Sequence, residues 1–359
     1  GTFSDRTDAA GNYEIGGVPL GLVKVSTAKP AESLIGETTG TLSSYLQPLT
    51  LDILLENNAV TLPTALSDAN ATSYTVAQGG GFGNGTGGVF SRGAFNLDIT
   101  RDGSTTRFAG PAFGTREDGS REIATRDTVH GLNVTRKVFV PATGYFARFI
   151  ESFSNPTADP ITIDVTVASK LYGGRDSFCC IYGERDHFVG TTSSGDYVLG
   201  TNDRWAALGG AGINPYVNGF DGASLGIVFD GEGASQAIDA VSFTPAASDN
   251  PFSYGWNSIT IPAGGTVSLM HFVSAQGGYQ GALASAQRLA QLPPEALEAM
   301  EPDEALTIAN FAVPADGISI VTPLPAITGT VTGRVFEGNA TTPVAGSTVT
   351  FQSSVGVHP

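Results

Sequence analysis

Short runs of alternating apolar and polar residues, each closed by turn residues, recur along the chain and predict β-strands. Leu132, Val134, Val138 and Val140 share one face of such a strand, and the same spacing puts Arg136 on that face. Tyr145–Phe153 is apolar and aromatic on both faces, as a fully buried strand should be. Ile161, Ile163, Val165 and Val167 alternate with Thr162, Asp164 and Thr166. With Asn155–Pro160 as the loop, these two runs predict a hairpin. Further strands are predicted at Leu225–Phe229, Ala240–Phe243, Ser258–Ile261 and Val267–Ser274, and Asp-Gly pairs starting at Asp102, Asp118, Asp221, Asp230 and Asp316 predict turns. One segment has helical spacing instead: Ala282, Leu283, Ala286, Leu289 and Ala290 within Gly278–Leu292, ended by Pro293–Pro294. Pro294 and Pro302 then suit the first turns of two more short helices. All three are expected on the edge of a sandwich.

The ends of the chain carry weaker patterns. Asp8–Asn12 and Gly16–Gly21 read as turns, with Tyr13 and Ile15 alternating between them. Leu22–Thr27 is a predicted strand, and Leu51, Ile53 and Leu55 mark another. Residues 57–78 read as a linker. The glycine run 79–88 fits a loop or a strand approached closely by other backbone. Residues 314–327 are proline-spaced and read as a second linker. Beyond it, 328–336 is a predicted strand, Pro343–Gly346 a turn, and Val349 and Phe351 lie on a last strand. The chain then stops without completing that unit.

Composition supports sheet over helix. The 359 residues include 47 Gly and 20 Pro, and only 14% are charged. The fold class expected is all-β: a large central β-sandwich with a few short helices near its C-terminal end. The net charge of −16 repels nucleic acid and anionic membranes. No apolar run reaches the length of a membrane span. Cys179 and Cys180 are adjacent, so they staple no distant strands; they are buried thiols or a strained vicinal disulfide.

The two ends resemble halves of one domain. Gly329–Phe351 (GTVTGRVFEGNATTPVAGSTVTF) resembles the opening of the carboxypeptidase regulatory-like domain, a small transthyretin-like sandwich. Thr7–Pro30 (TDAAGNYEIGGVPLGLVKVSTAKP) resembles its later half. The order is inverted, so 328–359 of one copy followed by 1–56 of the next would make one domain. The resemblance implies spacer and adhesion modules of bacterial surface proteins, without catalytic residues. Gly131–Val167 is loosely similar to the supersandwich domains of carbohydrate-active proteins. The expected organisation is a half-sandwich at 1–56, a central sandwich at 57–313, a linker at 314–327 and a half-sandwich at 328–359.

Several groups qualify as candidate chemistry. Arg175, Asp176, Glu184, Arg185, Asp186 and His187 could form a sugar or ion site, or acid–base machinery. Their interleaved charges fit a surface loop that pairs with itself, which is the expectation. Cys179 or Cys180 as a nucleophile would need His187 as base. His130, His187, His271 and His358 are scattered and make no zinc motif, with His271 in line with the apolar Val267, Leu269 and Val273. Asp5, Asp8 and Asn12 could bind calcium but suit turn capping better. Trp205, Tyr216, Trp256 and Tyr279 could stack on sugars, or fill the core. Asn70, Asn84, Asn133 and Asn339 sit in N-x-T sequons. No catalytic, cofactor or metal residue is assigned. The expected role is a non-enzymatic extracellular or cell-surface repeat unit or filament subunit whose partners are other copies of itself. The alternatives are a carbohydrate-binding adhesin module that meets surface glycans, and a polysaccharide-acting enzyme.

Overall fold

The computed structural model describes residues 5–29, 34–45, 47–53, 55, 58–83, 90, 93–171, 187–210, 224–244, 250–324, 333–338 and 341–347. In chain order the strands are β1 (Gly21–Lys29), β2 (Leu34–Leu42), β3 (Ala59–Thr61), β4 (Thr64–Ser67), β5 (Ser73–Val76), β6 (Asn96–Arg101), β7 (Ser104–Arg107), β8 (Phe113–Glu117) and β9 (Glu122–Val129). There follow β10 (Leu132–Phe139), β11 (Ala147–Ser154), β12 (Ile161–Lys170), β13 (His187–Thr192), β14 (Trp205–Gly210), β15 (Ser224–Val228), β16 (Ala240–Phe243), β17 (Pro251–Ile261) and β18 (Thr266–Gln276). Helices α1 (Tyr279–Leu289), α2 (Pro294–Leu297) and α3 (Pro302–Ala305) come last. The fold is an all-β sandwich.

One sheet has nine strands, ordered β13-β14-β15-β18-β11-β10-β9-β8-β3, and the other has five, ordered β16-β17-β12-β6-β7. Inward residues of both sheets share one core. Leu132, Val134, Val138, Phe149 and Phe153 of the larger sheet meet Ile161, Ile163, Val165, Val167, Tyr254 and Trp256 of the smaller one. Arg136 lies on the inner face with them and is fully buried.

The alternation over Ile161–Val167 is as expected, but the hairpin is not. β11 belongs to the nine-stranded sheet, whereas β12 pairs with β17 and β6 in the other. The Asn155–Pro160 loop is therefore a corner between sheets. Asn155 fixes it: its Nδ2 donates to the carbonyls of Asp159 (2.8 Å) and Ile261 (3.1 Å), and its Oδ1 accepts from the Thr157 N–H (2.9 Å). Alternation says which face of a strand is buried, not which sheet it joins.

The Asp-Gly turns at Asp102 and Asp118 close hairpins with positive φ at both residues (51° and 76°; 48° and 61°). His130–Gly131 makes the same turn between β9 and β10 without an Asp (52° and 83°). Asp230 makes no hairpin; its buried carboxylate accepts the Ile238 N–H (3.0 Å).

Residues 57–78 are not a linker. β3 adds to the edge of the larger sheet, and the β4–β5 hairpin sends Leu66, Tyr74 and Val76 into the core. Of the two readings of the glycine run, close approach to other backbone holds at Gly79 and Gly81. A Cβ on Gly79 would stand 2.7 Å from the Phe108 carbonyl, and one on Gly81 would stand 2.7 Å from that of Ala94.

The helices cover the outer face of the nine-stranded sheet rather than an edge. Ala286, Leu289, Leu292, Ala296 and Leu297 pack there on Phe146, Ile150, Met270 and Phe272 in a second core. This explains why β11 is apolar on both faces. Gly226 of β15 lets α1 approach: a Cβ there would lie 2.5 Å from the Ala282 carbonyl oxygen. Gly226→Ala is therefore expected to cost about 1–3 kcal/mol by overpacking, read as a lower urea midpoint. An unchanged midpoint would mean that α1 does not rest on β15.

At the N-terminal side, β1 and β2 form a two-stranded antiparallel ribbon. β2 had no predicted counterpart. Tyr13, Ile15, Leu51, Ile53 and Leu55 lie outside strands. Tyr13 instead donates its hydroxyl to the Leu51 carbonyl (2.6 Å). Near the other end, Phe336 and Pro343 form a bridge, and the Val344 N–H donates to the Val335 carbonyl (2.9 Å).

Candidate functional site

The densest sequence candidates, Arg175, Asp176, Cys179, Cys180, Glu184, Arg185 and Asp186, lie outside the described residues, as do Tyr216, Asn84, Asn339 and His358. The backbone of His187 opens β13, and its side chain is likewise outside them. The other candidates are dispersed. Asp8 accepts the N–H groups of Ala10 and Asn12 (both 2.8 Å), and Asp5 accepts those of Arg6 (2.7 Å) and Glu14 (2.9 Å), so these carboxylates cap a turn. The Asp8 carboxyl is held below its ordinary pKa first by the Asn12 side chain. His130 sits in the β9–β10 turn, with Nε2 3.1 Å from the Ile99 carbonyl. Asn70 lies in the β4–β5 turn and Asn133 on β10. Trp256 is buried in the main core, and Trp205 packs against the helical one. Among the described residues, no three His, Cys, Asp or Glu side chains gather as metal ligands would.

The structure does assemble a polar chain that the sequence did not announce. It runs across the inner core from β17 to β10. Tyr254 Oη lies 2.8 Å from His271 Nδ1, His271 Nε2 lies 3.1 Å from Glu151 Oε1, and Arg136 Nε donates to the same oxygen at 3.0 Å. Arg136 Nη1 continues to the Gly79 carbonyl (3.0 Å). A carboxylate only accepts, so Nε2 of His271 carries the proton and Nδ1 accepts from the Tyr254 hydroxyl. Burial lowers the His271 pKa, which agrees with a neutral ring. Burial, reinforced by Glu151, raises that of Tyr254. Phe149 stacks on the imidazole at 4.6 Å and 7°, and Arg136 lies 5.1 Å over the Phe149 ring. The side chains of Arg136, Glu151 and His271 are 0% exposed. Groups so enclosed meet no substrate, and the chain acts as a brace between the sheets.

A second charged network lies on the outer face of the larger sheet, under the helices. Arg148 donates to the carbonyls of Ala296 (2.9 Å) and Glu298 (2.7 Å), and its Nη2 stands 3.5 Å from Glu122. Lys137 lies 3.1 Å from Glu122, 3.2 Å from Glu304 and 3.4 Å from Glu117. Glu122 Oε1 makes no aligned hydrogen bond, so its attraction to Lys137 is coulombic. Burial, opposed by Lys137 and Arg148, raises the Glu122 pKa to about 7. Burial pushes Glu117 up as well, but Arg126 and Lys137 outweigh it and bring its pKa to about 2. This network ties the segment carrying α2 and α3 to the sheet.

One open feature accompanies these networks, a shallow groove of about 230 Å³ on the smaller sheet, lined among others by Asn96, Arg107, Ser169, Lys170 and Ser242. Arg107 is already engaged by Asp98 through two 2.7 Å bonds. No acid–base pair faces the groove.

No protein-family model matches the chain, and no curated protein does. Among solved structures it is similar to a polysaccharide lyase, at 15% identity over 55% of this chain and 28% of the lyase, with a TM-score of 0.34. It is similar to a protein from Synechocystis sp. PCC 6803, at 10% identity over 61% of this chain and 96% of that one, with a TM-score of 0.33. It is also similar to a putative aldose 1-epimerase from Klebsiella pneumoniae, at 8% identity over 76% and 92%, with a TM-score of 0.31. Likeness at these scores carries no argument about activity. The site chemistry rests on the residues themselves, and what they build is two buried braces.

Proposed function

We propose that this chain is a non-enzymatic extracellular structural unit that joins copies of itself head to tail, residues 328–359 of one copy completing a small sandwich with residues 1–56 of the next. The observation that carries this reading is the exposed apolar surface at both end segments. Leu20 (54% exposed), Tyr45 (85%), Val335 and Phe336 (both 39%) and Val344 (37%) all face solvent. The two-stranded β1–β2 ribbon is marginal in isolation and gains stability from further strands packed on it. Open strand edges recruit such strands from a neighbour. A head-to-tail contact that does not close on itself grows into a filament. The low charged fraction and acidic balance suit an extracellular surface.

The full chain tests this by light scattering after size exclusion and by negative-stain imaging. The unaltered protein is expected to form oligomers whose length grows with concentration. Phe336→Asp combined with Val344→Asp is expected to leave monomers, with the urea midpoint of the central sandwich unchanged. Monodisperse monomers of the unaltered chain at every concentration would overturn the reading.

A further inference from the structure

Among the described residues, an aromatic platform stands at the β13 edge of the larger sheet. The Tyr279 ring, at the first turn of α1, lies against β13 at Gly190; a Cβ there would stand 2.6 Å from its Cζ and 2.8 Å from its Oη. One strand further in, Phe188 crosses onto Gly209 of β14, where a Cβ would stand 2.7 Å from its Cε1. A side chain at either glycine would lift these rings off the backbone. Beside them the β13–β14 loop presents Tyr197 and Val198 at 75% and 71% exposure. Tyr197 follows directly on the turn at the end of β13, the strand on which the Tyr279 ring rests: the Thr192 N–H donates to the Asp196 carbonyl (3.0 Å). In keeping with that placement, burial first and Tyr197 second raise the Tyr279 pKa.

The loop is held firmly although its tip is exposed. Asp203 accepts the N–H groups of Ser194 (3.0 Å) and Gly200 (2.9 Å), and Asp196 accepts that of Val198 (2.9 Å) and the Thr192 hydroxyl (3.2 Å). An exposed aromatic on a pre-ordered loop loses little entropy when a ligand stacks on it. Flat rings with phenolic hydroxyls offer an apolar face and a hydrogen-bonding rim, which matches the C–H face and hydroxyl rim of a pyranose. Covering glycine on a strand explains where the Phe188 and Tyr279 rings lie, whereas Tyr197, at 75% exposure, faces solvent.

We infer that Tyr197 and Tyr279 form a stacking site for a neutral polysaccharide. Charge selects the neutral class. The chain carries a net −16, and within the loop Asp196 and Asp203 outnumber the one cation, Arg204, so an anionic glycan is repelled.

Affinity gel electrophoresis of the full chain tests this with mixed-linkage β-glucan, xylan and dextran as neutral probes and alginate as the anionic one. At least one neutral polysaccharide is expected to retard the protein. Tyr197→Ala is expected to weaken that retardation about tenfold, the size of a lost stacking contact, without moving the urea midpoint. Tyr279→Phe, which keeps the ring, is expected to retain most of it. Absence of retardation by all three neutral probes, an unchanged response in Tyr197→Ala, or stronger retardation by alginate would overturn the inference. Each readout is independent of assembly at the chain ends, because Phe336→Asp with Val344→Asp is expected to bind the glycan as the unaltered chain does.

Discussion

Glu151→Gln is expected to lower the free energy of unfolding by about 3–5 kcal/mol, the range for breaking one partner of a fully buried ion pair. Glu151 Oε1 receives both Arg136 Nε and His271 Nε2 in a place from which water is excluded. The glutamine keeps the shape and one acceptor but loses the charge. Arg136 cannot shed its proton and is then left as an uncompensated cation between two sheets. His271 then shares the one remaining neutral acceptor with Arg136, which weakens its hold on the Tyr254 hydroxyl across the core. Urea titration followed by the fluorescence of Trp256, which lies 6.4 Å from the imidazole, measures the change where it occurs. A loss below about 1 kcal/mol would mean that the pair is screened as a surface pair is, and that the core is wetter than the structure describes.

The double variant Arg136→Met with Glu151→Leu separates charge from packing. Arg136 Nη2, Glu151 Oε2 and Trp256 Nε1 have no hydrogen-bond partner among the described residues, so the network is incompletely satisfied. An apolar pair of similar volume removes two of those three unmet groups. Partial recovery of the lost stability is therefore expected, because the uncompensated cation is gone while His271 Nε2 and the Gly79 carbonyl are left without these partners.

Face assignment was legible along the strands of the central sandwich. The period-two pattern put Ile161, Ile163, Val165 and Val167 inward and placed Arg136 on the buried face, and both hold in three dimensions. Sheet membership was not legible. β11 and β12 are adjacent in sequence and both bury apolar residues, yet the Asn155 corner sends them into different sheets. The side of the helices was hidden for a related reason. A strand apolar on both faces needs two covers, and nothing local says that one of them is α1. β3 to β5 read as a linker because they are short and their apolar residues reach the core only through long-range pairing.

The chemistry followed the same division. Dense local clusters drew the eye toward residues 175–187, whereas the charges that the fold brings together come from separate strands. A signal was present: Glu151 sits in the middle of a run apolar on both faces, and a lone acid in such a run needs a buried cation. The inward Arg136 was its natural partner, fifteen residues away across one hairpin. The sequence puts His271 in line with the apolar Val267, Leu269 and Val273. It is fully buried, and only the pairing of β11 with β18 brings it to Glu151.

The outer network is expected to make stability fall as pH rises from about 4.5 to about 7, and Glu122 is its main source. Its pKa is raised from 4.5 to about 7, so between those values the folded chain holds a proton that the unfolded chain has released. Stability then decreases with rising pH, by about 3 kcal/mol across the window. The groups that face Glu122 are Lys137 on β10, Arg148 on β11, Glu117 on β8 and Glu304 on α3. The two cations favour its ionised form, but burial and the two other acids prevail. Glu117 has the opposite sign: with a pKa of about 2 it stabilises above its ordinary 4.5 and loses that contribution only in stronger acid. Asp68, raised by burial to about 6, adds to the trend of Glu122, while the lowered pKa of His271 works against it below 6.5. These other groups cancel when the unaltered chain is compared with Glu122→Gln at each pH. The stability difference between the two is expected to shift by about 3 kcal/mol between pH 4.5 and pH 7.5, in favour of the variant at the higher value. Hydrogen exchange at 294–305 should follow it, because Arg148 and Lys137 bind both Glu122 and that segment. A difference that stays flat with pH would show that Glu122 ionises normally in the fold, and that the helices are held by packing alone.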